Sequence, residues 1–221
     1  MYPDIFEFLD AILETLILVF VPGILAIIFG GILGICLYIT NKRSAFPYYK
    51  HNKLYQTLNI IVNITRSIPF VILMIAIIPF TRLLVGTTIG TLAACVPLTI
   101  AAIPFFARIV ENSFLEIPKG VIDTALSFGA SNTQIIFNFN LVEARNNILY
   151  GIILMLVTLV GYSAMAGTLA GGGLGAMAFN YGYQRFQLST MVITVVLMII
   201  LVQLIEYIGN KLLGHLSKSK N

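Results

Sequence analysis

Charge is what this chain has least of. Asp, Glu, Lys and Arg make up only 10% of its 221 residues, hydrophobic residues make up 58%, and mean hydropathy is +0.95. A soluble domain carries about 25% charge, so a surface facing water on all sides is excluded. Most of the surface must meet lipid or other apolar protein. Histidine is almost missing too, with only His51 and His215. No HExxH metal motif, no Walker A loop and no pair of intramembrane aspartates is present, which removes metalloprotease, ATPase and aspartyl-protease chemistry. The two cysteines, Cys36 and Cys95, sit in apolar runs and read as small packing residues rather than a disulfide. The first fourteen residues hold Asp4, Glu7, Asp10 and Glu14 but no Lys or Arg, unlike a cleaved secretory signal. The net charge of +4 calls for no nucleic acid, because membrane proteins concentrate basic residues on one side.

What is there is long apolar stretches. A helix needs roughly 20 apolar residues to cross the hydrocarbon core. The stretches 16–39, 89–107, 148–168 and 186–205 meet that requirement. A further segment, 57–80, carries Asn59, Asn63 and Arg66 in its first half and reaches spanning length only when used whole. The expectation is an all-α membrane protein of five transmembrane helices, residues 1–221 forming one transmembrane domain. Basic residues orient it. Lys42, Arg43, Lys50, Lys53, Arg108, Lys119, Arg145, Lys211, Lys218 and Lys220 fall on one side, and only Arg82 and Arg185 on the other. The first side is therefore expected in the cytoplasm, with the N-terminus outside and the C-terminus inside. Pro22, Pro69, Pro79, Pro97 and Pro104 lie at membrane depth. Each lacks a backbone donor, so each should pack against neighbouring helices or water. Gly30 with Gly34 reads as a close helix contact; Gly86 with Gly90 and Gly171 with Gly175 share the spacing.

The longest polar interval runs from Arg108 to Asn147, and its residues 116–143 have a distinct grammar. Pro118 suits a first helical turn. Val121, Ile122, Ala125 and Leu126 make one apolar stripe. Gly129 is placed to end that helix in the left-handed conformation. Ser131 with Gln134 reads as a capping box opening a second helix over 135–141. The segment lacks the Lys-rich face of a helix lying on lipid, which favours docking to a cytoplasmic partner.

Here a family resemblance enters. Asp123-Thr124-Ala125-Leu126-Ser127-Phe128-Gly129-Ala130, with Gln134 and Leu141 after it, resembles the EAA loop of ABC importer permeases. It departs from that pattern with Asp123 for Glu, Thr124 for the first Ala and Val142 for the later Pro. The segments 66–70, 78–82, 85–90, 108–112 and 159–165 resemble methionine importer permeases, and the likeness covers about 13–212. The resemblance implies a type I importer of the bacterial inner membrane. Two copies of the chain would pair with two cytoplasmic ATPase subunits, which bind the ATP and Mg, and an extracytoplasmic substrate-binding lipoprotein would deliver substrate. The chain itself would hold no cofactor and catalyse no reaction. Asp123, Thr124, Ala125, Leu126, Gly129 and Ala130 would touch the ATPase through a short coupling helix. Methionine, D or L, rests on the resemblance; another amino acid or small solute is the alternative.

Four residues are candidates for the pathway. Arg66 is the one ionisable residue clearly within a span, where it costs roughly 2.5–3.5 kcal/mol at the centre. Nine residues into its helix, it can snorkel toward the cytoplasm, which suits capping or pairing near a gate, with substrate contact as the other reading. The run 161–167 is small and flexible, and Tyr162, Ser163 and Met165 are placed there at an outer gate on a dimer axis, against ordinary helix packing. Gly161-Tyr162-Ser163 resembles the serine motif of rhomboid-type proteases, but both histidines lie on the opposite side. The glycine run 171–175 lacks the Lys-Ser/Thr of a phosphate loop and reads as an external hinge or a contact for the binding protein. A stand-alone secondary transporter is the alternative class; the scarcity of acids at membrane depth and the lack of an internal repeat speak against it.

Overall fold

The computed structural model describes residues 3–44 and 52–218, all in helices and their connections. Lys50, His51 and Lys220 lie outside the described residues. Among those described, α1 (Ile5–Thr40), α5 (Thr91–Leu115), α9 (Arg145–Ala166) and α11 (Leu188–Lys218) are the long elements. Between them lie α2 (Asn52–Ser67), α3 (Phe70–Ala76), α4 (Ile78–Val85), α6 (Lys119–Ser127), α7 (Asn132–Gln134), α8 (Leu141–Glu143) and α10 (Gly173–Met177). Four helices are long and apolar enough to cross a membrane, or five if one bent pair counts as a span.

That bent pair corrects the expectation of one helix over 57–80. Helix α2 stops at Ser67 and α3 starts at Phe70, bent by 105°. The cause is local. Pro69 has no N–H and disfavours helical geometry in Ile68 before it. Pro69 instead sits ahead of α3 with φ −56° and ψ 135°. A second break at Ile77 separates α4, where Pro79 occupies the first turn. The other three prolines, Pro22, Pro97 and Pro104, are buried inside continuous helices, packed against neighbours as lipid depth requires.

Helix α1 begins eleven residues before the stretch read as apolar. Its 36 residues rise about 54 Å, well beyond a hydrocarbon core of about 30 Å. The surplus is the acidic start, where Glu7, Asp10 and Glu14 ride on a helix continuous with the span.

The core is a seam between α1 and α5. The two run parallel, since Gly30 meets Ile103 and Phe106 while Gly34 meets Ala107 and Val110. A Cβ on either glycine would lie 2.6 Å from a backbone carbonyl oxygen of α5, so only glycine admits this approach. Gly86 and Gly90 share the spacing but not the cause. Both face open space with φ of +81° and +102°, where glycine serves the turns around α4.

Helix α9 runs antiparallel to the pair, with Gly151 against Ile109 and Leu156 against Gly23. Helix α11 packs on α9 through Gly209 and Ile153. At the end away from the 116–143 loop, the glycine run folds back on α1. The Glu14 carboxylate accepts from the Gly173 N–H at 2.6 Å, and the Thr15 hydroxyl accepts from the Leu174 N–H at 2.9 Å. A Cβ on Gly172 or Gly173 would strike those same side chains. The run is thus an internal turn held by α1.

The seam makes a direct prediction. Gly34→Ala should lower the unfolding midpoint of the detergent-solubilised protein by an amount equivalent to about 1–3 kcal/mol, the usual cost of overpacking. Gly214→Ala, at a glycine with nothing within 4 Å, should leave it unchanged. Equal behaviour of the two variants would contradict the seam.

Candidate coupling loop and translocation path

The loop 116–143 is built as its sequence grammar suggests for the first half. Ile122 and Ala125 on one face of α6 are fully buried, and they join the same apolar cluster as Tyr38 of α1 and Phe114 of α5. Asp123 and Thr124 lie on the opposite, exposed face. The helix ends in a Schellman turn. The Ala130 N–H donates to the Ala125 carbonyl and the Gly129 N–H to the Leu126 carbonyl, with Gly129 at φ +75°. Both hydrogen bonds of the capping box between Ser131 and Gln134 are present. Two helix ends therefore meet at an elbow with its polar groups satisfied.

The second half differs from the helix expected over 135–141. Residues Ile135–Asn140 form a π-helix, continued by α8. Hydrogen bonding from i to i+5 brings Ile135 and Asn140 onto one face, and both are completely buried. Asn140 lies beside the Tyr38 side chain of α1, whose ring meets Phe114 edge-on at 5.3 Å. An α-helical spacing would turn the amide away from the bundle. Val142, standing where the family pattern has Pro, is exposed in α8, and the chain bends at Ala144 into α9. The loop's two ends are tied by a hydrogen bond from Asn147 to Glu116 of 2.8 Å.

One residue of this loop escaped the sequence reading. Phe128, just before the elbow, is 86% exposed. The only sequence signal was an aromatic side chain in a position that a solvated turn would normally give to a polar one.

Of the pathway candidates, the structure brings two together. A cavity of about 230 Å³ opens where α2, α3, α5 and α9 meet, and Arg66 and Tyr162 both line it. The Arg66 guanidinium carbon lies 5.9 Å from the Phe105 ring centre, and Tyr162 stacks on Phe70 at 4.6 Å. Ser163 does not share this space. It is buried, and its hydroxyl donates to the Val160 carbonyl of its own helix. Met165 is 46% exposed, one turn further along α9. Helix α9 shows an exposed stripe at helical spacing, with Leu154, Gly161 and Met165 along it.

The 116–143 end also holds a polar cluster whose members the sequence scattered. Glu111 is 1% exposed and pairs with Arg108 one turn earlier. Arg108 donates also to Asn59 at 2.6 Å and Asn63 at 2.9 Å on α2. Asn41, capping the end of α1, donates to Glu111 at 2.9 Å and to Tyr55 at 3.2 Å. Three helices are thus joined around one buried carboxylate. At the other end, Tyr181 donates to Glu7 at 2.9 Å, which raises the phenol pKa, while Arg185 over its ring opposes the rise.

With this geometry in place, similarity to known proteins is informative. Residues 26–216 match the family described as the binding-protein-dependent transport system inner membrane component. The chain belongs to that family. It is accordingly a multi-pass inner-membrane permease component of an ABC transporter and not itself an ATPase. A probable D-methionine transport system permease protein MetI of Vibrio cholerae is 48% identical over 92% of this chain and 89% of its own length. A protein of the same description from Pasteurella multocida is 44% identical over 96% of this chain and 97% of its own. A solved structure described as an inward facing conformation of the MetNI methionine ABC transporter superposes with a TM-score of 0.93 at 42% identity, covering 98% and 99% of the two chains.

The buried cluster of this permease is testable apart from transport. Glu111→Gln should cost about 3 kcal/mol of unfolding free energy, since removing one partner strands the other charge. Adding Arg108→Gln should cost less than the sum of the two single changes in a double-mutant cycle read by denaturant unfolding. Strict additivity would mean the pair does not act as a unit.

Proposed function

We propose that this permease imports methionine, in D or L form, as one of two copies paired with two ATPase subunits. The near-full-length likeness to D-methionine permeases carries the substrate. The count of basic residues on the 116–143 side supports a cytoplasmic position for that end, with the N-terminus outside and the C-terminus inside. Residues 1–221 serve as one transmembrane domain. ATP and Mg²⁺ belong to the ATPase, and an extracytoplasmic binding lipoprotein hands substrate to the opposite face.

Coupling runs through the elbow. Asp123 and Thr124 face the ATPase, Ala125 and Leu126 seat α6 on the bundle, and Gly129 with Ala130 sets the angle. Phe128 is the apolar anchor, since exposed aromatics of this kind dominate interface energetics once buried. Because the loop leads into both α5 and α9 and its ends are hydrogen-bonded to each other, a pull on the elbow moves the two helices together. The exposed stripe of α9 is the face turned to the second copy. Met165, with Tyr162 and Ser163 of the same helix, forms the outer gate, and Arg66 lies along the path below it.

Reconstituted vesicles containing this chain, its ATPase and its binding protein test the reading. ATP-dependent uptake of labelled methionine is expected, well above that of other amino acids. A fully coupled ATPase without methionine uptake would overturn the substrate, and ATP-independent uptake would overturn the importer. Gly129→Arg should abolish uptake and sever stimulation of the ATPase, and Phe128→Ala should reduce ATPase retention on co-purification. For orientation, a cysteine replacing Lys119, with Cys36 and Cys95 changed to Ala, should react with an impermeant maleimide only in inside-out vesicles.

A further inference from the structure

The Arg66 cavity has a chemistry that its membrane surroundings make conspicuous. Its level in the bundle comes from the helices that wall it. Ala101 and Phe105 lie midway along α5, and Met155 and Thr158 midway along α9. The sequence alone suggested that Arg66 reaches back toward the cytoplasm. With α2 ending at Ser67, Arg66 is instead in the last turn of its helix, at mid-depth, lining a void.

A cation there needs a partner. All nine acidic side chains of the protein belong to described residues, and none of them pairs with Arg66. Glu111, the acid on the helix that also carries Phe105, is already held by Arg108 and Asn41. The ring interaction of Arg66 with Phe105 supplies quadrupole attraction but no negative charge. An ionisable residue kept at membrane depth without an internal partner marks a ligand or ion path.

The rest of the wall defines the ligand. Thr65 donates its hydroxyl to the Ile61 carbonyl at 2.9 Å and Thr158 to the Leu154 carbonyl at 2.7 Å. Their protons are thereby used, and each oxygen keeps lone pairs that can only accept from whatever enters. Leu73, Met155 and Leu159 make most of the remaining surface apolar, with the Tyr162 ring beside them. One cationic fork, two acceptor hydroxyls and an apolar wall form the complement of a zwitterion with an uncharged, apolar side chain.

We propose that this cavity is a transit site for the amino acid. The Arg66 guanidinium takes the α-carboxylate through two parallel hydrogen bonds, Thr65 and Thr158 accept from the α-ammonium, and the side chain lies against Met155 and Leu159. This rests on the reading of the chain as an amino-acid permease and adds to it that the permease itself selects for a free carboxylate. The Tyr162–Phe70 stack closes one side of the site, so the same tyrosine borders both the site and the outer gate.

The test is equilibrium binding of labelled L- and D-methionine to the permease–ATPase complex in nanodiscs, without binding protein. Methioninol, which replaces the carboxylate by an alcohol, should compete at least tenfold more weakly than methionine. Arg66→Gln should weaken methionine binding at least tenfold and erase its advantage over methioninol, while Arg66→Lys, keeping the charge without the fork, should fall between. Size-exclusion chromatography reports whether each variant still assembles. If Arg66→Gln does not, the methioninol comparison on the unaltered complex decides alone. Equal competition by methioninol, unchanged affinity in an assembled Arg66→Gln complex, or no amino-acid binding at all would overturn the site. Arg66-dependent binding of leucine or glutamine in place of methionine would support the site and overturn methionine as the substrate.

Discussion

Where Gly30 and Gly34 meet the Ile103 and Ala107 carbonyls, two helix backbones touch with no side chain between them. In lipid there is no hydrophobic drive to press helices together, so close van der Waals approach must supply the association. The rest of the bundle is arranged around that seam. Helix α9 lies against both partners, and α11 packs on α9 and, near the start of α1, on α10. The polar cluster around Glu111 and the docking surface of the 116–143 loop are both assembled at the seam's end, from the last turns of α1 and α5.

A stiff elbow set on a firm foundation is what coupling requires of a loop. The Schellman turn and the capping box leave no backbone group of the elbow free to rearrange cheaply, and Ile122, Ala125, Ile135 and Asn140 are sunk into the bundle. Phe128 and the outer face of α6 stand exposed at the elbow. In the proposed coupling, force applied there is not absorbed within the loop and passes to α5 and α9. The π-turn belongs to the same design, since it aims Asn140 at Tyr38 and fixes the loop to α1 as well.

Two arginines show how position decides the role of a charge. Arg108 has a carboxylate and two amides, and it serves as a brace between α2 and α5. Arg66, two turns further along α2 from Asn59, has an aromatic face and a void. The difference arises from the break at Pro69. By ending α2 where it does, the proline leaves Arg66 at the rim of a space that a continuous helix over 57–80 would have filled.

Much of this was legible in the residues themselves. Apolar length marked the four long helices, and Gly129, Ser131 and Gln134 announced the elbow, because caps and turns are governed by atoms within a few positions of one another. The Pro69 break had a local cause as well, but a length argument, which needed 57–80 whole, outweighed it. The Glu111 cluster, the Tyr38–Asn140 contact and the Glu14 cap on the glycine run were not legible in this way. Their partners lie between 70 and 159 residues apart for Asn41 with Glu111 and Glu14 with Gly173, so no window of sequence contains both. Composition and pattern alone determined that this protein lives in a membrane and carries a structured loop. Which charge is satisfied and which is left facing a cavity was decided only by how the helices pack, since a partner for a charge is a matter of distance in space.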